Sequence, residues 1–271
     1  MSLEAYIDSR LSVGHGTFTK AEAMTALGQS SSTILAATER LIKKQKLVSP
    51  KRGFYIILRP EDRTTGAPEP ARWIAPLMHH LGIDYRISLL RAAAFHGSSH
   101  QAAMVFQVIA PKQIPAIIIG RHNIRFVYQL AGVFAATNRD EWLASLKTDA
   151  GYAKVAGIEL TLLDCARYFH KASGINGLAQ IVRDLGSKAA SGKLSDAAKH
   201  YENTAVRRLG YLLQHFGHDR QARALLPYAA KAKSLKPLDP SLKSLAALGT
   251  QLHETDSTWK LIINDIVETD S

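Results

Sequence analysis

The sequence predicts an α+β protein. A winged helix-turn-helix is expected over residues 1–60, a linker over 61–70, and a larger mixed α/β domain with a small antiparallel sheet and several helices over 71–271. Three observations predict this. Residues 1–58 parse completely as helix, short strand, helix, helix and hairpin. Three β-rich runs, Met104 to Ala110, Ala116 to Ile119 and Ile124 to Leu130, follow one another, the last two joined by the turn Gly120-Arg121-His122-Asn123. From Leu160 to Tyr228 the apolar residues recur at helical spacing.

The first helix is expected over residues 3–12, where Leu3, Ile7 and Leu11 share a face, and Gly14-His15-Gly16 ends it. Thr17-Phe18-Thr19 reads as a short extended piece. Thr19 and Glu22 have the spacing of a capping box, which starts a helix running to Leu27. Gly28 closes that helix and Ser30 is a ready N-cap for the next. There Ile34, Thr38 and Leu41, with Leu35 and Ile42, recur as a core face. Ser32, Ala36, Arg40 and Lys43 step by three or four along another face, small at its start and basic further on. A helix entering the major groove needs this arrangement: short side chains allow close approach, and cations further along meet phosphates. The run Lys46-Leu47-Val48 then leads into Ser49-Pro50-Lys51-Arg52-Gly53, a turn with two cations, and into the β-rich Phe54-Tyr55-Ile56-Ile57-Leu58. Strand, basic turn and strand is the layout of a wing lying on DNA backbone. The expected DNA-binding residues are Ser30, Ser32, Thr33, Ala36, Arg40, Lys43, Lys44, Lys51 and Arg52; the alternative for the same module is protein contact.

Arg59 to Pro70 is polar and contains Pro and Gly. Residues 71–101 read as helical, in one segment starting at Trp73-Ile74 and another from Ser88 to a glycine cap at Gly97. Trp142 to Leu146 is expected as a helical turn and Ala153 to Ile158 as extended. Helices are expected over Leu160 to His170, Leu178 to Leu185, Ser195 to Phe216 and Arg220 to Tyr228, and a last strand over Trp259 to Asn264. In the long helix Val206, Leu209, Leu213 and Phe216 form a buried stripe, and Gly210 allows another element close to its backbone. Arg207 and Arg208 are adjacent, so at least one is expected to point outward and join Lys193 and Lys199 in a basic patch.

The chain carries a formal net charge of +11, and 46% of its residues are hydrophobic, which excludes global disorder and points to a polyanionic partner. The charge is uneven. Residues 1–60 hold nine Lys/Arg against four Asp/Glu and 182–236 hold eleven against four, whereas 237–271 hold two against six. The single cysteine, Cys165, excludes a disulfide framework and a cysteine-rich zinc site, and its apolar surroundings read as core. His96 and His100 stand four apart, but Gly97-Ser98-Ser99 lies between them and no acid completes a metal set. There is no phosphate-binding Gly-rich loop and no nucleophile elbow. Hence no catalytic constellation, metal or cofactor is expected. With no signal peptide and no apolar run of spanning length, the expected location is the cytoplasm.

Four stretches occur in order: the winged segment ending in Arg52-Gly53-Phe54-Tyr55, then Tyr85 to Gly97, then Glu159-Leu160-Thr161-Leu162-Leu163-Asp164, then Val206-Arg207-Arg208-Leu209-Gly210-Tyr211-Leu212-Leu213. This order resembles the AbiEi family, antitoxins of type IV toxin–antitoxin and abortive-infection (phage-defence) systems. The resemblance implies an N-terminal winged-helix domain and a C-terminal antitoxin domain from about residue 71 to 271. It also implies a transcriptional autorepressor that binds inverted repeats in its own promoter and counteracts a nucleotidyltransferase toxin, and that is not an enzyme. A single winged helix suggests that two copies meet a palindromic site, by dimerising or by binding side by side. Two rival readings are a one-component regulator with a ligand-sensing C-terminal domain, and a nucleic-acid-modifying enzyme with a winged-helix targeting module.

Overall fold

The computed structural model describes residues 1–98, 105–148, 151–242 and 254–267. In chain order these form α1 (Leu3–Ser12), β1 (Thr17–Thr19), α2 (Lys20–Leu27), α3 (Ser31–Lys43), β2 (Leu47–Lys51) and β3 (Phe54–Ile57). Then come α4 (Ile74–Leu81), β4 (Arg86–Ile87), α5 (Leu89–Phe95), β5 (Val105–Ala110), β6 (Ile117–Ile119), β7 (His122–Tyr128), α6 (Ala131–Thr137), β8 (Leu143–Thr148) and β9 (Gly151–Ala156). The remainder is α7 (Ile158–Arg167), α8 (Gly174–Leu185), α9 (Ser191–Ala198), α10 (Asn203–His215), α11 (Asp219–Ala230), β10 (Lys236–Pro237), β11 (Glu254–Asp256) and β12 (Leu261–Ile263). The fold is mixed α and β, and the chain divides into two compact units. The first comprises residues 1–87, 104–130 and 145–155; the second comprises 88–103, 131–144 and 156–271.

In the first unit the N-terminal elements close on one apolar core. Thr19 caps α2 through the expected box: its hydroxyl accepts from Glu22 N at 3.1 Å, and Glu22 Oε2 accepts from Thr19 N at 2.6 Å. Gly28 then takes the left-handed conformation (φ 62°) that ends α2 and redirects the chain into α3. Ile34 and Leu41 from α3 meet Tyr6 and Ile7 of α1, Phe18 of β1, Ala23 of α2, and Leu47, Tyr55 and Ile57 of the hairpin. Phe18 lies edge-on to Tyr6 at 5.7 Å and stacks on Tyr55 at 5.2 Å. Thr38 is buried there because its hydroxyl donates to Leu35 O at 2.9 Å. Leu35 and Ile42 do not join this core: both are 37% exposed. At 100° per residue they stand one step round the helix from Ile34 and Leu41, and the small core, filled by aromatic rings, does not reach them. The three strands are ordered β1-β3-β2, all antiparallel. A bulge at Ser49-Pro50 places the proline outside the ladder, and Ser49 Oγ donates to the carbonyls of Lys51 and Phe54 at 2.9 Å each.

The other sheet has six strands in the order β6-β7-β5-β4-β9-β8. It is mixed, which corrects the antiparallel sheet expected from the sequence. β5 and β7 pair in parallel from Val105–Asn123 to Ala110–Tyr128, while β6 pairs antiparallel to β7 on its far side. β5 is buried from Phe106 to Ala110 on both faces, as a central parallel strand requires, and periodicity alone does not distinguish such a strand from its antiparallel counterpart. Met104, expected to begin that strand, lies outside the described residues. A two-residue strand, β4, interrupts the helical expectation for 71–101 and pairs with both β5 and β9. Residues 143–148 are strand β8; only the three preceding residues, Asp140–Trp142, form a helical turn. The Arg59–Pro70 stretch is packed within this unit. Trp73 Nε1 donates to Pro68 O at 2.9 Å, and Gly66 and Gly120, both at positive φ, approach so closely that a Cβ on either meets the other's backbone.

The second unit is mainly helical. α7 is buried along nearly its whole length. The helix expected over Ser195 to Phe216 is two helices, α9 and α10, because His200 and Tyr201 turn the chain at a tight bend. The bend is held from outside: Asn203 Nδ2 donates to Tyr228 O at 2.6 Å and Tyr201 OH to Asp164 Oδ1 at 2.7 Å. The strands β10, β12 and β11 form a small sheet in which β10 and β12 are parallel and β11 and β12 antiparallel.

Candidate functional site

The α3 surface is built from its N-terminus upward. Ser30 caps the helix, its hydroxyl accepting from Thr33 N at 3.3 Å, and lies 2.9 Å from both Ser32 Oγ and Thr33 Oγ1. Ser32, Thr33, Ala36, Arg40, Lys43 and Lys44 are all exposed, while Ile34, Thr38 and Leu41 are buried. Core and exposed residues therefore segregate onto opposite faces. Arg40 Nε donates only to the carbonyl of Ala36, one turn back, at 3.3 Å. Among the described residues no carboxylate pairs with Arg40, Lys43, Lys44, Lys51 or Arg52, whereas Lys46 pairs with Glu4 at 3.3 Å.

The hairpin turn is Arg52-Gly53, with Gly53 at φ 77° and Arg52 exposed; Lys51 is half-buried. Lys20 connects this turn to α3. Its backbone N donates to Gly53 O at 2.8 Å, and its ammonium donates to Ser31 Oγ at 3.1 Å. One lysine thus spans from the turn to the first residue of α3, which fixes how far apart the two basic elements can sit. His80 of α4 braces the turn from another side: its Nε2 lies 3.2 Å from Arg52 O and its ring 5.6 Å from that of Phe54. Neither Lys20 nor His80 stands out in the sequence, because each meets a main-chain carbonyl of the turn from a position distant along the chain.

In the second unit the expected basic patch divides. Lys193 and Lys199 are exposed and line one cleft of about 390 Å³ with Arg139, Trp142 and His200. Arg207 and Arg208 are both buried, at 3% and 4% exposure, which corrects the expectation that at least one points outward. Main-chain carbonyls make this possible. Arg207 Nη1 donates to Ser234 O at 3.1 Å and Lys260 O at 2.9 Å; Arg208 donates to Leu238 O at 2.8 Å and Ala166 O at 3.0 Å, and lies 4.4 Å over the ring of Phe169. Burial lowers the pKa of Arg208 to about 10, with the charge of Asp239 opposing the shift and that of Arg207 adding to it. Gly210 carries the close approach read from the sequence: a Cβ there would overlap the indole of Trp259.

The other quoted stretches are also internal supports. Ser88 Oγ donates to Asp164 Oδ2 at 2.7 Å, opposite the Tyr201 bond, and holds the chain where Leu89 takes the left-handed conformation (φ 56°). Glu159 Oε1 accepts from Ala190 N at 2.7 Å. Cys165 is fully buried, and burial, with Asp164 beside it, pushes its thiol pKa well up, as for an unreactive core residue. His100 lies outside the described residues, and among the described residues no three His, Cys, Asp or Glu side chains converge on a metal site. No helix is long and apolar enough to cross a membrane among them.

Residues 86–215, which contain the Ser88–Asp164–Tyr201 support and the buried arginines, match the family described as AbiEi antitoxin C-terminal domain. The chain carries an AbiEi antitoxin domain. Its strands β4 to β9 and helices α5 to α10 lie within that match. The fold is similar to that of the crystal structure of RV2827C protein from Mycobacterium tuberculosis, with a TM-score of 0.64 and 16% identity over 95% of this chain and 89% of that one. No curated protein matches the chain.

Proposed function

We infer that this AbiEi protein is a type IV antitoxin and transcriptional autorepressor, with residues 1–60 forming a winged helix-turn-helix that binds inverted repeats in its own promoter. One observation carries the DNA half: α3 presents Ser32, Thr33, Ala36, Arg40 and Lys43 outward, its cations paired with no carboxylate among the described residues, and Lys20 holds its first residue to the Arg52 turn. On this reading α3 enters the major groove, Ser32 and Arg40 face base edges, and Lys43, Lys44, Lys51 and Arg52 neutralise phosphates. The antitoxin half, assigned to residues 71–271 with 61–70 as the functional boundary, rests on the family match; the partner it counteracts is a nucleotidyltransferase toxin. This is a division of tasks and not of packing, since residues 104–130 belong to the same compact unit as the N-terminus. Two copies meet each palindromic operator.

The test is a mobility shift with the DNA upstream of the protein's own gene, at near-physiological salt and with unrelated DNA as competitor. A saturable shift on an inverted repeat that survives competitor is expected. Binding that competitor abolishes would demote α3 to a protein-contact helix. The toxin half is tested separately: a gene beside the protein's own is expected to encode a nucleotidyltransferase, and co-expression of this protein is expected to rescue the growth of cells expressing that toxin.

A further inference from the structure

The cleft beside α9 has features that the antitoxin assignment does not account for. Trp142 lines it and is 6% exposed, with the His200 ring 5.7 Å away at a 60° tilt. The Arg139 guanidinium lies 5.3 Å over the indole, held there by Glu141 at 3.0 Å. Lys199 is tied to Asp196 at 2.6 Å, and that hydrogen bond and charge raise its pKa, so it stays an ammonium. Among the described residues Lys193 pairs with no carboxylate: its Nζ reaches the main-chain carbonyl of Glu141, at 3.4 Å. Three cations therefore face two carboxylates, and the uncompensated charge is on Lys193. The planar groups and the excess charge lie in one concavity of about 390 Å³, within the usual size range of small-ligand sites.

A ligand matching this cleft has a flat aromatic part and an anionic part joined by a polar spacer. The His200 ring and the Arg139 guanidinium are planes on which a base stacks, and Lys193 and Lys199 are point charges suited to phosphate oxygens. We propose that the cleft formed by Arg139, Trp142, Lys193, Lys199 and His200 binds a nucleoside phosphate. The base lies against Arg139 and His200 and the phosphate replaces the weak Glu141 carbonyl contact on Lys193. The binding is reversible and no bond is made or broken. None of these residues belongs to the proposed DNA surface, so this site and that surface fail or stand independently.

Isothermal titration of the full-length protein with ATP, GTP, CTP and UTP, and with tripolyphosphate as the base-free probe, tests the proposal. Saturable binding of at least one nucleotide, tighter than tripolyphosphate, is expected. Lys193→Glu weakens it by about tenfold or more, the loss for removing a hydrogen bond to a charged group. Lys233→Glu, the same charge change at an exposed lysine outside the cleft, leaves it unchanged. Tripolyphosphate binding as tightly as every nucleotide overturns the base contact and with it the proposal. So does an absence of saturable binding, or equal weakening by both variants, which reports net charge alone. A single-stranded trinucleotide binding more tightly than the free nucleotides retains the site and assigns its ligand to the end of a strand.

Discussion

Gly210→Ala offers a test decided by sign. In an open helical position this change stabilises, since alanine is favoured over glycine by about 1 kcal/mol. In α10 the added methyl would overlap the ring of Trp259, which is fully buried there and donates from Nε1 to Gln214 Oε1 at 2.7 Å. If the ring shifts within its site, overpacking costs about 1–3 kcal/mol. If the indole is expelled, the loss is larger: a tryptophan buries about 150–250 Å², worth about 4–6 kcal/mol at ~25 cal/mol per Å². After subtracting the helical gain, a net destabilisation of about 0–2 kcal/mol is expected if the ring shifts and about 3–5 kcal/mol if it is expelled. Gly192, in the first turn of α9, is the control, because a Cβ there meets nothing within 4 Å. Gly192→Ala is expected to stabilise by up to about 1 kcal/mol. Urea unfolding followed by far-ultraviolet circular dichroism measures both. A Gly210→Ala protein as stable as Gly192→Ala would refute the seating of Trp259 on α10.

The remaining predictions concern both units. Arg52→Ala weakens binding to operator and unrelated DNA alike and flattens the log–log salt dependence by about 0.9 per copy bound; an unchanged slope removes the turn from the phosphate contacts. Ser32→Ala or Arg40→Ala instead alters discrimination between operator variants, by about 1–3 kcal/mol per good base contact, in competition shifts. Arg208→Met strands the carbonyls of Leu238 and Ala166 and costs about 2–6 kcal/mol in urea unfolding, from about 1–3 kcal/mol per unsatisfied buried group; a change too small to resolve would place the guanidinium in solvent. Tyr85 has its pKa raised to about 12, chiefly by burial and further by Asp84, with the Lys154 amide opposing. The folded state thus keeps a proton that the unfolded chain loses near pH 10. The resulting stability, about 2–3 kcal/mol, is intact below pH 10 and lost towards pH 12. Tyr85→Phe is expected to remove that part of the alkaline loss in melts taken across the range.

What was legible in the sequence was local. The range of α1, the Thr19–Glu22 box, the Ser30 cap and the buried Ile34, Thr38 and Leu41 each depend on residues within a turn or two of one another. Errors arose where distant partners decide. Leu35 and Ile42 have the spacing of core residues, but the size of the core depends on the rings of Tyr6, Phe18 and Tyr55. The parallel pairing of β5 with β7 depends on where the chain returns after β6. The break between α9 and α10 depends on Tyr228 and Asp164, which lie tens of residues away. For the candidate DNA surface, residue type and helical step were enough to list α3's outward side chains, while Lys20, which positions them against the turn, had no sequence signal.

The two arginines show why the charge count misled. Arg40 and Arg208 are the same residue in helices of equal length, yet one is exposed and the other inside. The difference lies in the supply of acceptors. Among the described residues no carboxylate pairs with the cations on the outer face of α3, which leaves them open to an external anion. α10 is met by the segment after residue 230, which delivers the carbonyls of Ser234, Leu238 and Lys260 to Arg207 and Arg208 and the ring of Trp259 to Gly210. That segment lies beyond the family match, which ends at residue 215. Its absence would leave two buried guanidinium groups short of partners and a bare glycine face, a cost of several kcal/mol. Leu238, Trp259 and Lys260, although beyond that match, therefore belong to the packing of the second unit. Among the described residues, Arg40, Lys43 and Arg52 in one unit and Lys193 in the other are instead exposed cations with no carboxylate partner, and it is on these that the proposed anion contacts rest.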